Sequence, residues 1–275
     1  MSANHTLSGF GLGLRQEHFD TVLEKAVPVD WFEILSENFM DSHEGYWQFL
    51  ADVREKYPLV MHGIAMNIGG TDPLNASYME TLKQLAEVAK PVFISDHLCW
   101  TGVHGINSHD LLPVPYTQEA LTYITGRIKQ AQDMLGRQLV MENPSTYAEF
   151  TASTMPEWEF LAALTEAADC KLLLDVNNVY VGAFNHRYDA KRYIDAIPAS
   201  RVAYMHMAGH RNKGTHIIDT HDDHVVDAVW ELYRYTVQKL GNLPVMIEWD
   251  SNVPKFNVLL AELDKARAIA TGKSV

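Results

Sequence analysis

Short runs of apolar and β-branched residues recur along the chain, and each is followed by a longer stretch in which apolar positions return every three or four residues. The runs fall at 9–14, 31–35, 59–64, 92–97, 138–142, 171–175, 202–206 and 245–248. Runs of this length and composition predict strands. Two of them, KLLLDV and LPVMIEW, are apolar almost throughout, as strands covered on both faces are. The longer stretches predict helices at 16–26, 45–56, 77–89, 117–135, 156–168, 190–197, 225–240 and 254–269. In 77–89 the helical spacing is plain, with Met79, Leu82, Leu85 and Val88 on one side.

Eight strands alternating with eight helices predict an α/β protein with a parallel sheet. At 275 residues the economical closure is a single (β/α)8 TIM barrel spanning 1–275. An open, doubly wound sheet is the runner-up, but no Gly-rich phosphate turn supports a dinucleotide-binding version.

Composition narrows the classes of function. An apolar share of 47% with 21% charged residues fits a globular chain with a large core. A formal charge of −13 argues against nucleic acid as principal partner, since such binding rests on Lys and Arg displacing counterions. No apolar run approaches the roughly 20 residues that span a bilayer, and the N-terminus shows no secretory pattern. Two cysteines, Cys99 and Cys170, make no disulfide framework, and a soluble cytoplasmic protein is the expectation.

The candidate chemistry lies where the last six predicted strands end. LVMHG ends in His62, FISDHL in His97 and LVMENP in Glu142; LLLDVNN supplies Asp175, AYMHMAGH supplies His206 and VMIEWD supplies Glu248. In a parallel barrel the C-terminal ends of the strands converge on one rim, so residues 35–45 positions apart would meet. A lone histidine at a strand end is ordinarily a satisfied core residue, and a lone acid there a helix N-cap. Six in succession would crowd ionisable groups that repel one another unless cations intervene. The stretch IIDTHDDHV adds Asp219 and His221 to the same rim, because alternate residues of an extended loop point the same way. Asp222 and Asp223 are expected to cap the helix near Val225, and His224 to stand apart. His, Asp and Glu without thiolate suit Zn²⁺, Fe or Mn²⁺, and this many ligands implies two or three ions. His97, Glu142 and Asp175 are the residues expected to be indispensable to catalysis.

The order of these residues resembles the xylose isomerase-like barrels, endonuclease IV among them, although Asn178 stands where the nuclease has histidine. Seven blocks resemble, more closely, the multinuclear non-haem iron-dependent oxidases, a family that includes the oxidase of methanobactin biosynthesis. They are WFEILSENF (31–39), MHGIAMNIGG (61–70), SDHLCW (95–100), MENPS (141–145), LLLDVNNVYV (172–181), HMAGH (206–210) and IEWD (247–250). The resemblance implies two or three iron ions (Fe²⁺/Fe³⁺), O₂ as co-substrate and oxidation of cysteines in a ribosomally made precursor peptide, with a small leader-binding partner protein. Carried over by position, His62, His97 and Glu142 would hold one iron, and Glu142, Asp175, His206 and Glu248 the next. Asn178, Asp219 and His221 would hold a third, with Asn177 competing for the amide role.

Around this set, Ser36, Glu37, Asn38, Asn67 and Asn143 are candidates to orient ligands, and His210, Arg211 and His216 to contact peptide. Cys99 lies two residues past His97, so it either faces the pocket or is an inert buried thiol. The 101–117 stretch is long for a βα loop and is expected to cover substrate. A metal-dependent sugar isomerase or epimerase, an endonuclease IV-like phosphodiesterase, and a metal-binding module without catalysis are the competing readings.

Overall fold

The computed structural model describes residues 7–40, 42 and 44–273, so the expected 1–275 span runs past it at both ends. Eight parallel strands close into a barrel: β1 (Phe10–Gly13), β2 (Trp31–Leu35), β3 (Leu59–Gly63), β4 (Ile94–His97), β5 (Val140–Glu142), β6 (Lys171–Asp175), β7 (Val202–Ala208) and β8 (Val245–Glu248). Each pairs with its neighbours in sequence, and β8 pairs with β1. The expected barrel is therefore the fold.

The strand period of two sets the layout of the interior. Trp31, Val60, Val140, Leu173, Tyr204 and Met246 pack together as an apolar plug inside the barrel. Two residues further along the same strands, on the same inner face, stand Glu33, His62, Glu142, Asp175, His206 and Glu248. The floor and the polar layer above it are thus consecutive tiers of one barrel. Gly11 makes room for the plug: a Cβ there would lie 2.5 Å from the Trp31 ring. The outward residues of the strands, such as Phe32, Met61, Met141, Leu174, Met205 and Ile247, join the core shared with the surrounding helices.

Caps mark the helices where the sequence places them. Asn75 and Thr117 accept backbone N–H groups at the starts of Ala76–Ala89 and Gln118–Leu135, and Gly136 ends the latter in a left-handed conformation. Three elements differ from expectation. The 101–117 stretch begins as an antiparallel hairpin, Trp100–Val103 with Ile106–Leu112. A helix at Val176–His186 goes unmarked in the sequence, where three valines, three asparagines and a glycine carry weak helix propensity; the Asp175 side chain caps it. The helix Asp227–Leu240 starts after Val226, with no side-chain cap. Asp222 therefore does not cap it: that carboxylate bonds Thr220 and Arg211. Asp223 accepts the adjacent His224 N–H. Among the described residues no helix is long and apolar enough to cross a membrane.

Candidate metal centre

Strand register gathers the six strand-end residues. His97 pairs with Glu142 across β4 and β5, and Asp175 pairs with His206 across β6 and β7. His62 Nε2 and His97 Nε2 lie 3.1 and 3.2 Å from one oxygen, Glu142 Oε2. The other Glu142 oxygen lies 3.7 Å from His206 Nδ1, which also stands 2.9 Å from Glu248 Oε2 and 4.0 Å from Asp175 Oδ2. Two groupings follow, His62–His97–Glu142 and Glu142–Asp175–His206–Glu248, each with ligand atoms within 4.8 Å of one another. Glu142 belongs to both. All six are buried.

A third grouping forms at the edge of the second, from His221, Glu248 and Asp250. His221 Nδ1 lies 3.2 Å from both carboxylates, and its Nε2 lies 2.7 Å from Asp219 Oδ1. Asp219 and His221 therefore meet, as the alternation in the loop predicts, while Thr220 turns to Asp222. Asn178 joins Glu142 and Asn143 instead, its Nδ2 lying 3.5 Å from Glu142 Oε1 and 3.1 Å from the Asn143 carbonyl. Asn177 is engaged at both ends, donating to Asp219 and facing His210 Nδ1 at 2.7 Å. Of the two amides, only Asn178 leaves its side-chain oxygen buried without a partner.

The donor set fits divalent cations. Glu142 Oε2, Asp175 Oδ2, Asn178 Oδ1, His206 Nδ1 and His221 Nε2 are all buried without a hydrogen-bond partner. Several lie about 3 Å from another ligand atom, yet none of those approaches has hydrogen-bond alignment. Buried polar atoms are ordinarily satisfied, and a cluster of orphans facing one another is what shared cations would complete. Asp175 shows how one residue serves two purposes: Oδ1 accepts the Asn178 N–H at 2.7 Å as the helix cap, and Oδ2 faces the cluster.

The charges show the same need. Burial works against a charge on His62, but Glu142 and Glu33 outweigh it and hold its pKa up to about 9. His206 and His221 are raised well above the ordinary histidine value despite burial, by Glu33 and Glu248 in one case and by Asp219 and Glu248 in the other. Burial lowers His97. Among the carboxylates, burial and the Glu142 charge push Asp175 well up. Glu248 is held well below its usual range because His206 and His221 override its burial. Protons thus share out the positive charge that this pocket demands. Metal ions would displace them.

The sequence model described as RiPP precursor modification enzyme MbnB/TglH/ChrH matches residues 9–271. The chain belongs to this family. A UPF0276 protein of Anaeromyxobacter is 48% identical over 269 residues, covering 98% of this chain and 95% of its own length. A UPF0276 protein of Caulobacter vibrioides is 47% identical over 261 residues, covering 94% and 93%. Solved structures of similar fold include an L-ribulose 3-epimerase, with a TM-score of 0.60 at 12% identity and coverage of 97% and 93%. A xylose isomerase domain protein from Alicyclobacillus acidocaldarius has a TM-score of 0.56 at 14% identity, with coverage of 97% and 100%. The barrel is thus xylose isomerase-like in fold.

Around the centre of this MbnB/TglH/ChrH family member, the candidate orienting residues separate by contact. Asn143 brackets Asp175, accepting its backbone N–H and donating to its carbonyl. Glu37 accepts the Ile64 and Ala65 N–H groups and the Tyr78 hydroxyl, which ties down the loop after β3. Asn67 holds the hairpin through Thr101 and Gly102. Ser36 Oγ is buried and unpartnered, and Asn38 is exposed.

His210 stacks on Tyr180 and faces Asn177, so it supports the outer ligands rather than standing free for peptide. Arg211 pairs with Asp222, and His216 is exposed near Thr215. Cys99 is fully buried and burial raises its thiol well above the usual range, the state of an inert core cysteine. His224 faces Glu262, away from the cluster.

Sequence reasoning missed Asp250 and Glu33. The first had a signal in the Glu-x-Asp alternation of IEWD; the second had one in a lone acid inside the apolar run WFEIL.

Proposed function

We propose that this chain is a multinuclear, iron-dependent oxidase that uses O₂ to oxidise cysteine residues of a ribosomally made precursor peptide. The observation that carries the reading is the shared Glu142, which joins two buried groupings in a member of a RiPP precursor modification family. His62, His97 and Glu142 would hold one ion and Glu142, Asp175, His206 and Glu248 the next. His221 with Glu248 and Asp250 would hold a third at the mouth, with Asp219 at the other ring nitrogen of His221, and Asn178, whose Nδ2 stands toward Glu142, keeps its buried oxygen without a partner. Iron bound there supplies electrons to O₂ and lowers the pKa of a coordinated thiol. The chain's own residues would hold the cations and exclude bulk water above an apolar floor. The peptide, the leader-binding partner and the cytoplasmic setting belong to the same proposal.

A sugar epimerase is the second reading, favoured by the fold of the solved neighbours. One experiment separates the two. The protein is purified without oxygen, its metals are counted, and O₂ uptake is measured with cysteine-bearing precursor peptides. Two or more iron equivalents with peptide-dependent O₂ uptake are expected. Zinc or manganese alone, with sugar turnover and no O₂ uptake, would remove the oxidase reading.

A further inference from the structure

The histidines that face the carboxylates have a second side, turned toward the barrel floor. His62 Nδ1 lies 2.8 Å from Ser95 Oγ. Ser95 Oγ lies 2.7 Å from the Tyr204 hydroxyl, which donates to Glu33 Oε2 at 2.8 Å. His206 Nε2 stands 3.1 and 3.2 Å from the two oxygens of that carboxylate. All five residues are 0–2% exposed. They form one chain of contacts from a ligand of the first grouping to a ligand of the second.

The proton order along this chain follows from what each group can do. A carboxylate only accepts, so Tyr204 O–H and His206 Nε2–H both point at Glu33. With its one proton spent there, the Tyr204 oxygen accepts from Ser95. Ser95 has a longer alternative acceptor in the Met61 carbonyl at 3.3 Å, and in either case its own oxygen accepts from His62 Nδ1–H. Neutral His206 is thereby left with Nδ1 bare and neutral His62 with Nε2 bare. These opposite nitrogens are the ones turned toward Glu142. His97 needs no such help, since its Nδ1 faces the Gly63 carbonyl at 3.1 Å.

A burial cost argues that the chain serves the site above it. The tier below is filled by Trp31, Val60, Val140, Leu173 and Met246, so an apolar residue could occupy position 33 at lower cost than a buried carboxylate. The acid stands where two ligands need orienting.

Resting on the metal reading above, we propose that Ser95, Tyr204 and Glu33 are positioning residues. Through one hydrogen-bond chain they fix which nitrogen His62 and His206 present to two neighbouring metal ions.

The test is anaerobic Fe²⁺ titration of the full chain against a competing chelator. It is read as equivalents, affinity and Mössbauer signature, together with the melting temperature of the metal-free protein. Glu33→Gln keeps the shape but turns an amide N–H toward one of the two donors. It is expected to weaken the position built on His206 by about 10–100-fold and to change that iron's spectrum, with the His62–His97 position retained. Tyr204→Phe keeps the ring against Trp31 and should weaken both positions by about tenfold; Ser95→Ala should act on the His62 position alone. If Glu33→Gln does not fold, the other two variants carry the test. Unchanged iron affinities and spectra in the variants, with wild type binding two or more ions, would overturn this proposal alone. A wild type that binds no iron, manganese or zinc would overturn the metal reading and this one with it.

Discussion

His62, His97, Glu142, Asp175, His206 and Glu248 stand on strands whose register fixes their spacing, whereas Asp219, His221 and Asp250 stand on loops. The two regions use the same residue types and differ in how their charges are settled. In the inner region, Glu142, Asp175 and His206 each leave a buried atom without a hydrogen bond, as His221 Nε2 does in the outer one. In the outer region the carboxylates have other partners: Asp219 takes the Asn177 amide, and Asp250 pairs with Arg15 and with His221. His221 itself sits at a backbone φ of 45°, a conformation that L-residues adopt at some cost. The inner region thus presents unpartnered ligand atoms on rigid strands. The outer one carries contacts among its own side chains that a cation would have to displace.

The largest effect should come from the one residue that both inner groupings share. Glu142→Gln is expected to empty both inner positions and to lower peptide-dependent O₂ uptake by more than a hundredfold, beyond the range for residues that only support ligands. Wild-type protein at 100 times the dissociation constant gains about 2.7 kcal/mol from metal, so a chelator should lower its melting temperature by several degrees. The variant should show no such drop. If it holds two irons as tightly as wild type, the inner region is not what its geometry suggests.

Asp175 sharpens the point, because it caps a helix as well as facing the cluster. Asp175→Ala should abolish turnover and also cost roughly 1 kcal/mol of stability as a lost cap. Asp175→Asn keeps the cap and should lose the turnover alone. His97→Ala has no cap to lose, and should abolish turnover with the barrel still folded by circular dichroism.

A smaller, separable effect is expected outside. Asp219→Asn or Asp250→Asn should weaken one iron equivalent by about tenfold and leave the inner two intact. Iron released in two phases during chelator titration, with only the weaker phase moved by these variants, is the expected result. A single phase shared by all positions would erase the distinction between the two regions.

The same division explains what was legible in the sequence. The inner cluster could be read because each of its residues follows an apolar strand, and a parallel barrel brings strand ends to one rim whatever the intervening loops do. The outer set depends on loop conformation, which carries no period. Asp219 and His221 were found from local alternation, while Asp250 was overlooked, and Asn178 turned toward Asn143 and Glu142. The Val176–His186 helix stayed hidden because Asp175 and tertiary packing start it against weak local propensity. Glu33 was passed over because a single acid in a strand has no neighbour in sequence to give it meaning. Its partners, Tyr204 and His206, lie more than 170 positions away. The 101–117 stretch stood out by its length, but its pairing into a hairpin was not foreseen.

A last effect, on stability alone, tests whether burial of an acid by itself explains the inner region. Glu157, at the start of the Glu157–Ala168 helix, offers the control. It borders a cavity of about 170 Å³ with Tyr116, Trp158 and Tyr188, and it accepts a 2.7 Å hydrogen bond from the Tyr193 hydroxyl. Burial, with the nearby Glu149 charge, raises its pKa to about 7 from an ordinary 4.5. The sign follows from linkage: the folded protein holds this proton more tightly than the unfolded chain. The stability it contributes is fully present below about pH 4.5 and is lost as pH rises through 7. The full span is at most about 3 kcal/mol, from 1.36 kcal/mol per unit. Glu157→Gln, which stays neutral, should therefore match wild type near pH 4.5 and exceed it in denaturant midpoint near pH 8, and metal should not alter the difference. If added iron narrows that gap, Glu157 is coupled to the centre, and the contrast between acids that await a cation and one that is content with hydroxyls fails.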